Sequence, residues 1–371
     1  MAESVYIHIP FCRSKCYYCS FVSYPKEHLK ADYLKALEKE IKSVYRNELL
    51  KTLYFGGGTP SLLSAEECSQ IIKMFNINKD TEITTELNPE GYLKNGLDVN
   101  YLKCLKIAGI NRISIGAQSF NDDILKLINR RHNSAQIVQA VKNANLSGIK
   151  NISLDFIYGL PNQTLEMFLS DLKRAVNLDI KHISLYGLSI ENGCYFYENS
   201  PEIIPDDDMQ AEMYLKAVDF LTKNGFEHYE FSNFAKEGCE SRHNLNYWNN
   251  NEYYAFGTAS HGYLNDERFS HTNSVEDYIR NPLEYIKEYD ENSKSKLEEE
   301  IFLGFRKMCG IDIGLINKKY NIDFMGKYRT IIEKYISSGF MKKTQNGYAL
   351  TPKGVLVSNT ILAEFLDECF F

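Results

Sequence analysis

Three cysteines near the amino terminus limit what this chain can fold into more than any other feature of its sequence. Cys12, Cys16 and Cys19 follow the apolar run 5–10 and are separated by three and then two residues. Thiols spaced this closely can converge on one bound group only if the backbone between them forms a tight loop. The spacing therefore predicts a loop of metal ligands at the end of a buried strand.

The kind of metal group follows from the number of ligands. Structural zinc normally has four protein ligands, but Ser20 and Phe21 come next and no fourth cysteine or closely spaced histidine follows. A 4Fe-4S cluster can be bound by thiolates on three of its irons, which leaves the fourth iron for an external ligand. Unrelated cysteines packed as small apolar side chains are the alternative. The spacing favours the cluster.

We call residues 11–19, which contain the three cysteines, the cysteine loop. This loop resembles the cluster motif of the radical S-adenosylmethionine (SAM) superfamily, and more narrowly that of its HemN-like branch. The resemblance includes Tyr18, just before the third cysteine, and Tyr6 in the sequence Tyr-x-His-Ile-Pro-Phe. In that family SAM chelates the open iron, and an electron from the cluster can break a C–S bond to give a 5′-deoxyadenosyl radical. The resemblance implies that Tyr6 and Tyr18 belong to the SAM site and that an electron donor serves the cluster.

Composition and charge narrow the remaining classes of protein. A length of 371 residues suits about two domains, and a hydrophobic content of 44% is enough for a sizeable core. No run reaches the about 18 apolar residues of a membrane span, and the motif begins too close to Met1 for a signal or transit peptide. The nine cysteines suit a reducing cytosol, so we expect a cytoplasmic protein. A formal charge of −7 argues against nucleic-acid binding.

Strand-like segments alternate with helical patterns at intervals of about thirty residues, as βα units do. Six such units predict an α/β fold with a parallel sheet, helices outside and sites at the carboxyl ends of the strands. We read a partial (β/α)6 TIM-like barrel, and the resemblance supports this fold. The predicted strands are 4–10, 51–57, 82–88, 112–117, 152–158 and 182–188, and the predicted helices are 32–45, 64–75, 99–108, 134–147, 164–178 and 206–224.

Several strand ends carry residues suited to ligand binding. The glycine-rich turn after the second strand lets backbone groups approach a ligand closely, although most such turns are only tight turns. Asp155 lies in an apolar strand, where a lone acid is costly unless it is paired. The resemblance assigns the methionine part of SAM to the glycine-rich turn and the ribose hydroxyls to Glu86. Arg130 and Arg131 are adjacent, so the sequence leaves open which of the two faces the site. The assigned SAM contacts are Gly57, Gly58, Thr59, Glu86, Gln118, Arg130 and Asp155.

A second motif lies beyond the predicted barrel, in the sequence His243-Asn244-Leu245-Asn246-Tyr247-Trp248. From the residues alone, a buried and hydrogen-bonded histidine is the commoner structure. The motif resembles the His-Asn-x-x-Tyr-Trp signature of the HemW haem-chaperone branch, in which the histidine is associated with haem binding. Imidazole is a good axial ligand of haem iron, and aromatic rings can lie against a porphyrin. The resemblance implies that His243 binds haem.

The sequence predicts three parts, which are a barrel over 1–224, an irregular connecting segment over 225–290 and a C-terminal domain over 291–371. Helical patterns at 297–308, 313–320 and 324–338 come before a hairpin that turns at Gln345-Asn346-Gly347, which predicts a winged-helix-like α+β domain. Residues 296–371 carry 11 Lys and Arg against 9 Asp and Glu, a net charge of +2. This excess is small for a DNA reader and favours a covering or docking role.

Two classes of function remain, with a third close to them. The resemblance implies either a haem chaperone that delivers haem to acceptors such as respiratory enzymes, or an oxygen-independent coproporphyrinogen III dehydrogenase. The dehydrogenase pattern has a fourth cysteine where this chain has Phe21. It also has a substantial N-terminal extension over its active site, whereas only 11 residues come before Cys12 in this sequence. We therefore expect a chaperone without this dehydrogenase activity. A haem-degrading radical SAM methyltransferase shares much of the architecture, and peripheral membrane contact and a homodimer are both compatible with the resemblance.

Overall fold

The computed structural model describes residues 1–91, 96–288 and 293–366. They pack into two compact units. The first unit comprises Met1–Met213 and Glu252–Tyr289, and the second comprises Tyr214–Asn251 and Asp290–Phe371. The segment 225–290 contributes residues to both units, and the division of the chain into three parts stays a prediction.

Parallel strands form the centre of the first unit. Six strands lie in chain order, and each of the first five pairs in parallel with the next one along the chain. A short strand, Tyr254–Phe256, pairs in parallel with the other side of the first strand. This arrangement confirms the partial (β/α)6 barrel, and every predicted strand is correct to within one residue at each end. The strands are β1 (Ser4–Ile9), β2 (Thr52–Gly57), β3 (Glu82–Leu87), β4 (Arg112–Gln118), β5 (Asn151–Tyr158) and β6 (His182–Gly187).

The strands are apolar because the sheet is covered on both faces. In β1 every residue except Tyr6 is buried, and in β4 the four residues from Arg112 to Ile115 are all buried, so neighbouring side chains that point to opposite faces are both covered. Strands buried on both faces read as nearly continuous hydrophobic runs rather than as alternating patterns. This property made them recognisable in the sequence.

Helices follow the strands, as predicted. The one that begins after Ser64 starts with a capping box, in which the Ser64 hydroxyl accepts from the Glu67 amide at 3.1 Å and Glu67 Oε2 accepts from the Ser64 amide at 2.7 Å. Two reciprocal hydrogen bonds satisfy amides that the first helical turn leaves without partners. The helices are Lys30–Val44, Ala65–Ile72, Val99–Ala108, Asp122–Leu127, Ser134–Ser147, Leu165–Val176, Tyr195–Glu198 and Asp207–Lys223.

Residues 252–288 of the first unit are more regular than the sequence predicts. The strands His261–Leu264, Glu267–Ser270 and Ile286–Glu288 form an antiparallel sheet, and Val275–Arg280 is a helix. Elements of three to six residues are too short to show a period in the sequence. An irregular segment was therefore the wrong expectation here.

The second unit has the helices and the small sheet expected of a winged-helix-like α+β domain. In its three-stranded sheet, Gly347–Leu350 pairs antiparallel with Ile311–Asp312 on one side and Met341–Lys343 on the other. The predicted hairpin is therefore present, with Gln345 and Asn346 in the turn and Gly347 at the start of the returning strand. The helices of its C-terminal part are Ser293–Gly304, Ile313–Tyr320, Phe324–Ser337, Pro352–Leu356 and Ser358–Ala363.

The amino-terminal part of the second unit contains the strand pair Glu227–Glu230 and Asn233–Ala235 and the helix Arg242–Trp248. Phe305, Phe324 and Phe365 are fully or almost fully buried in the core of the unit. Within the described ranges of both units, no helix is long and apolar enough to cross a lipid bilayer.

Candidate functional site

The cysteine loop begins two residues after the end of β1. The Cys12 amide donates to the Tyr24 carbonyl at 3.0 Å, and the Cys19 amide donates to the Cys16 carbonyl at 3.1 Å. The second of these bonds closes a turn between two cysteines, as their spacing predicts. All three cysteines are free thiols and partly buried. The loop therefore presents its sulfurs within a folded backbone.

Segments that follow later strands hold this loop in place. The Tyr17 amide donates to the Ile128 carbonyl at 3.2 Å, and the Phe196 amide donates to the Tyr17 carbonyl at 3.0 Å. The Asn129 side chain donates to the Lys15 carbonyl at 2.9 Å. Backbone hydrogen bonds fix the loop whatever its side chains bind. The carboxyl ends of the parallel strands thus surround the cysteines, where sites in such folds are expected.

The environments of Cys12 and Cys19 favour neutral thiols until a positive group binds. Cys12 Sγ lies 3.2 Å from Thr59 Oγ1, and Arg130 Nη1 lies 3.5 Å from Cys16 Sγ. Burial, with a contribution from the nearby Cys16, raises the pKa of Cys12 and raises that of Cys19 to about 11. Thiolates are the form that binds metal, so a cationic group would have to offset this cost.

The three cysteine thiols are the donor set that a 4Fe-4S cluster with one open iron uses. Within the described part of the chain, no three Cys, His, Asp or Glu side chains converge on a point that could hold one ion. A zinc site requires sulfurs about 4 Å apart, because each lies about 2.3 Å from the same metal. A 4Fe-4S cluster spreads three thiolates over three different irons. The donor set and its spacing are therefore compatible with the cluster.

The glycines after β2 are needed where the chain passes close to β1 and the cysteine loop. Gly57 has φ = +107°, and a Cβ atom there would lie 2.6 Å from the His8 ring. A Cβ on Gly58 would lie 2.8 Å from the Phe11 carbonyl oxygen and 2.9 Å from that of Ile9. The Gly58 amide already donates to the Ile9 carbonyl at 2.8 Å. Glycine at 58 thus permits direct contact with the backbone that leads into the cysteine loop.

Two acids lie on the strands that flank β4, with Glu86 near the end of β3 and Asp155 within β5. Tyr54 donates to Glu86 Oε1 at 2.9 Å, and Ser114 donates to both carboxylate oxygens of Asp155 at 2.9 and 2.8 Å. Burial raises the pKa of Glu86 to about 7, with a smaller contribution from the charge of Asp155, and burial also raises the pKa of Asp155. Asp155 thus has the hydrogen-bond partner that a buried acid requires. Glu86 is suited to bind hydroxyl groups.

Arg130 points toward the cysteine loop, whereas Arg131 is exposed. Arg130 Nη2 donates to Asn88 Oδ1 and to the Gly116 carbonyl, both at 2.7 Å. A Cβ on Gly116 would lie 2.9 Å from Gln118 Nε2 and 3.1 Å from Arg130 Nη2. Gln118 and Arg130 therefore lie together at the end of β4, where the backbone of Gln118 is left-handed with φ = +64°.

Sequence reasoning missed Asn88 as a member of this group. Its Oδ1 accepts from Arg130 and its Nδ2 donates to Thr59 Oγ1 at 3.3 Å, while the same Thr59 atom lies beside Cys12. Asn88 thus connects two predicted site residues, Thr59 and Arg130, that lie in segments following different strands. Its position two residues after Glu86 at the end of β3 was the available signal, since alternate residues of a strand share a face.

The two predicted tyrosines lie in different surroundings. Tyr6 Oη is 3.1 Å from His8 Nδ1, and His8 Nε2 is 3.0 Å from the Val22 carbonyl oxygen. Burial lowers the pKa of His8 to about 4, so this histidine is neutral at physiological pH. Burial and the nearby charge of Cys16 raise the pKa of Tyr18, which places it beside the cysteines.

His243 lies in the second unit, on the helix Arg242–Trp248. Ser241 caps this helix by accepting from the Asn244 amide at 3.3 Å. His243 is only 1% exposed, and its Nε2 lies 2.7 Å from the hydroxyl of Tyr247. The two side chains stand four residues apart, which places them on the same helix face. In this conformation the imidazole is a buried, hydrogen-bonded group, as expected from the residues alone.

Comparison with known families covers both units. The chain matches the Radical SAM superfamily over residues 6–175 and the HemN C-terminal domain over residues 292–357. Among solved structures it resembles the coproporphyrinogen III oxidase HemN from Escherichia coli, a radical SAM enzyme, with a TM-score of 0.84 and 22% identity over 99% of this chain and 90% of that chain. At this identity the likeness shows the fold alone.

Curated relatives match the chain over nearly its whole length. The heme chaperone HemW of Lactococcus lactis is 36% identical over 98% of this chain and 97% of its own. The corresponding chaperone of Bacillus subtilis is 35% identical over 99% of this chain and 100% of its own. That of Escherichia coli is 32% identical over 98% of each chain.

Proposed function

The chain belongs to the radical SAM superfamily and, within it, to the family of the heme chaperone HemW, and from that premise we propose that it binds haem and passes it to acceptor haemoproteins. The observation that supports the proposal most is the helix Arg242–Trp248. On seven residues it carries an imidazole, a phenol and an indole, which are groups suited to iron ligation and porphyrin contact.

His243 is the proposed iron ligand. Its Nε2 now has the Tyr247 hydroxyl as a partner at 2.7 Å, and iron would have to take the place of that hydroxyl. Exchanging one neutral hydrogen bond costs about 1 kcal/mol, which is small beside an iron–imidazole bond. Because the side chain is buried, haem binding also requires the helix or its surroundings to open.

In the first unit, we propose that Cys12, Cys16 and Cys19 hold a 4Fe-4S cluster, whose bound form supplies an open iron and one-electron chemistry. Membership of the superfamily implies the cluster and SAM. Arg130, bonded to Asn88 and near Cys16, would orient the site, and Glu86 would accept hydroxyl groups. The proposed SAM contacts are Tyr6, Tyr18, Gly57, Gly58, Thr59, Glu86, Gln118, Arg130 and Asp155.

Coproporphyrinogen III dehydrogenation is the second candidate, because the fold resembles that of the oxidase HemN. Phe21 argues against it. This residue occupies the position where the dehydrogenase pattern has a cysteine, and 68% of its side chain is exposed. Reduced, cluster-loaded protein supplied with SAM should leave coproporphyrinogen III unchanged, and its conversion to protoporphyrinogen IX would establish the dehydrogenase activity instead.

A haem titration tests the proposal directly. We expect the cluster-loaded protein to bind about one haem with a Soret spectrum typical of imidazole ligation, and His243→Leu to lose that spectrum while it keeps its iron–sulfur absorbance. His261→Leu is the matched control, since His261 is exposed in the first unit and contacts Glu288 at 2.8 Å. An unchanged spectrum in His243→Leu, or a loss in His261→Leu alone, would show that His243 is not the ligand.

A further inference from the structure

Trp248, the last residue of the His-Asn-x-x-Tyr-Trp motif, faces an open pocket rather than the protein interior. The pocket has a volume of about 490 Å³ and lies within the second unit. Trp248, the only tryptophan of the chain, forms an apolar wall of the pocket together with Phe302, Leu303 and Leu366. We call it the Trp248 pocket. Its volume falls in the range of about 300–1,000 Å³ that small-molecule sites occupy.

Arg306 provides the positive charge of the Trp248 pocket. The centre of its guanidinium lies 5.1 Å from the ring centroid of Trp248, 5.8 Å from that of Phe231 and 5.9 Å from that of Phe302. Over the described ranges of the chain, the guanidinium has no hydrogen-bond or ion-pair partner. A partly buried guanidinium that is held among aromatic rings can still donate its N–H groups to a ligand.

Among the described residues, none of the acids around the pocket forms an ion pair with Arg306. Burial raises the pKa of Glu230, which is 1% exposed, to about 7, so near neutral pH this acid only partly offsets the charge of Arg306. Glu298 and Glu299 also line the pocket, and the side-chain amide of Asn250 donates to Glu299 Oε2 at 3.2 Å. An arginine among flat rings matches a planar ligand that carries a carboxylate.

We propose that the Trp248 pocket docks the carboxylate-bearing edge of a porphyrin, with Arg306 bound to a propionate and Trp248 and Phe302 against the macrocycle. This docking position rests on the proposed haem-binding function and adds to it a contact that does not involve iron. Residues 243 and 248 point about 140° apart on a helix of 3.6 residues per turn. A porphyrin in the pocket therefore contacts a different face of the helix from buried His243.

The test compares metal-free protoporphyrin IX with its dimethyl ester, which lacks the carboxylates. Binding is followed by the emission of Trp248. We expect the wild-type protein to bind the free acid, Arg306→Met to bind it about 10- to 100-fold more weakly, and the ester to show no difference between the two proteins. Phe302→Ala should weaken binding of both porphyrins, because it removes a ring that contacts the macrocycle.

Lys319→Met is the matched control. It removes one positive charge from the same unit, but Lys319 does not line the pocket and pairs with Glu300 at 2.7 Å. We expect it to leave both affinities unchanged, and circular dichroism should confirm that all variants fold. Equal affinity of wild-type and Arg306→Met protein for protoporphyrin IX would overturn the docking position. If haem binding persists in that case, the proposed function remains intact. If protoporphyrin binds but haem iron is not ligated, only the role of His243 is overturned.

Discussion

At the scale of single residues, the Tyr247 hydroxyl occupies the nitrogen of His243 that the proposed haem iron would use. The hydroxyl lies 2.7 Å from Nε2, and the two rings meet edge to face with centroids 4.9 Å apart. An iron atom and the phenol cannot use the same nitrogen. The hydrogen bond would therefore compete with the proposed haem iron, while the packing of the ring keeps the imidazole in place.

Tyr247→Phe separates these two effects, because it removes the hydroxyl and keeps the ring. We expect haem affinity to rise about 2- to 10-fold, since a net hydrogen bond is worth about 0.5–1.5 kcal/mol. The measurement is a haem titration followed at the Soret band. Tyr320→Phe is the control, because it removes a hydroxyl of the same unit that donates to the Lys296 carbonyl at 3.1 Å. A loss of affinity in Tyr247→Phe would mean that the phenol orients the ligand rather than competing with iron.

Residue contacts also show why sequence reasoning found some of the candidate site and missed the rest. Cys12, Cys16 and Cys19 were visible because their spacing is local and metal ligation demands it. Asn88 and Arg306 were missed because their significance comes from partners far along the chain. Asn88 meets Arg130 across 42 positions, and Arg306 meets Trp248 across 58. No periodicity or motif encodes such pairs.

At the scale of elements, the same distinction separates the barrel strands from the shorter elements after them. The strands of the barrel were predicted closely because burial on both faces makes them continuous apolar runs between helices. The strand Tyr254–Phe256 was not predicted, because three residues carry no detectable pattern. Its pairing with β1 depends on the tertiary fold. The short strands at 261–288 escaped prediction for the same reason.

One hydrogen-bonded chain among these elements has the composition of a catalytic triad. Ser260 Oγ lies 3.1 Å from His271 Nδ1, and His271 Nε2 lies 2.8 Å from Glu40 Oε1. All three side chains are at most 5% exposed, so a substrate does not reach the serine. Glu40 Oε2 also accepts from the Gly257 amide at 3.0 Å, next to the strand Tyr254–Phe256. The chain of hydrogen bonds therefore ties this late strand to the helix Lys30–Val44.

The turn after β2 gives a prediction at the element scale. Gly58→Ala would place a methyl group 2.8 Å from the Phe11 carbonyl oxygen, so the backbone that enters the cysteine loop must shift. We expect reconstituted protein to hold less iron and sulfide and to bind SAM more weakly. Haem binding should remain, because its proposed residues lie in the second unit.

The control for this turn is Gly314→Ala. The nearest atom to a Cβ there is a side-chain oxygen of Asp312 at 3.3 Å, and the position lies in the helix Ile313–Tyr320, where alanine is tolerated better than glycine. Iron, sulfide and SAM binding should be unchanged in this variant. Full iron content and wild-type SAM affinity in Gly58→Ala would show that the close approach of the two backbones is not required.

At the scale of the whole molecule, each unit carries residues for a different task. The first unit contains the cysteine loop and the proposed SAM contacts, and the second contains the His243 helix and the Trp248 pocket. A fold shared with an oxidase does not determine function, because function depends on the site rather than on the fold. In the proposed function, haem is therefore cargo that the second unit binds and the protein releases to an acceptor.

Transfer of haem to an acceptor is the decisive measurement for a chaperone. Cluster-loaded protein carrying one haem is mixed with increasing amounts of an apo-haemoprotein, and the Soret band of the acceptor is followed with time. We predict that the transfer rate rises with acceptor concentration, because the haem passes within a complex of the two proteins. A transfer rate that stays equal to the rate of haem loss into buffer at every acceptor concentration would contradict delivery by this protein.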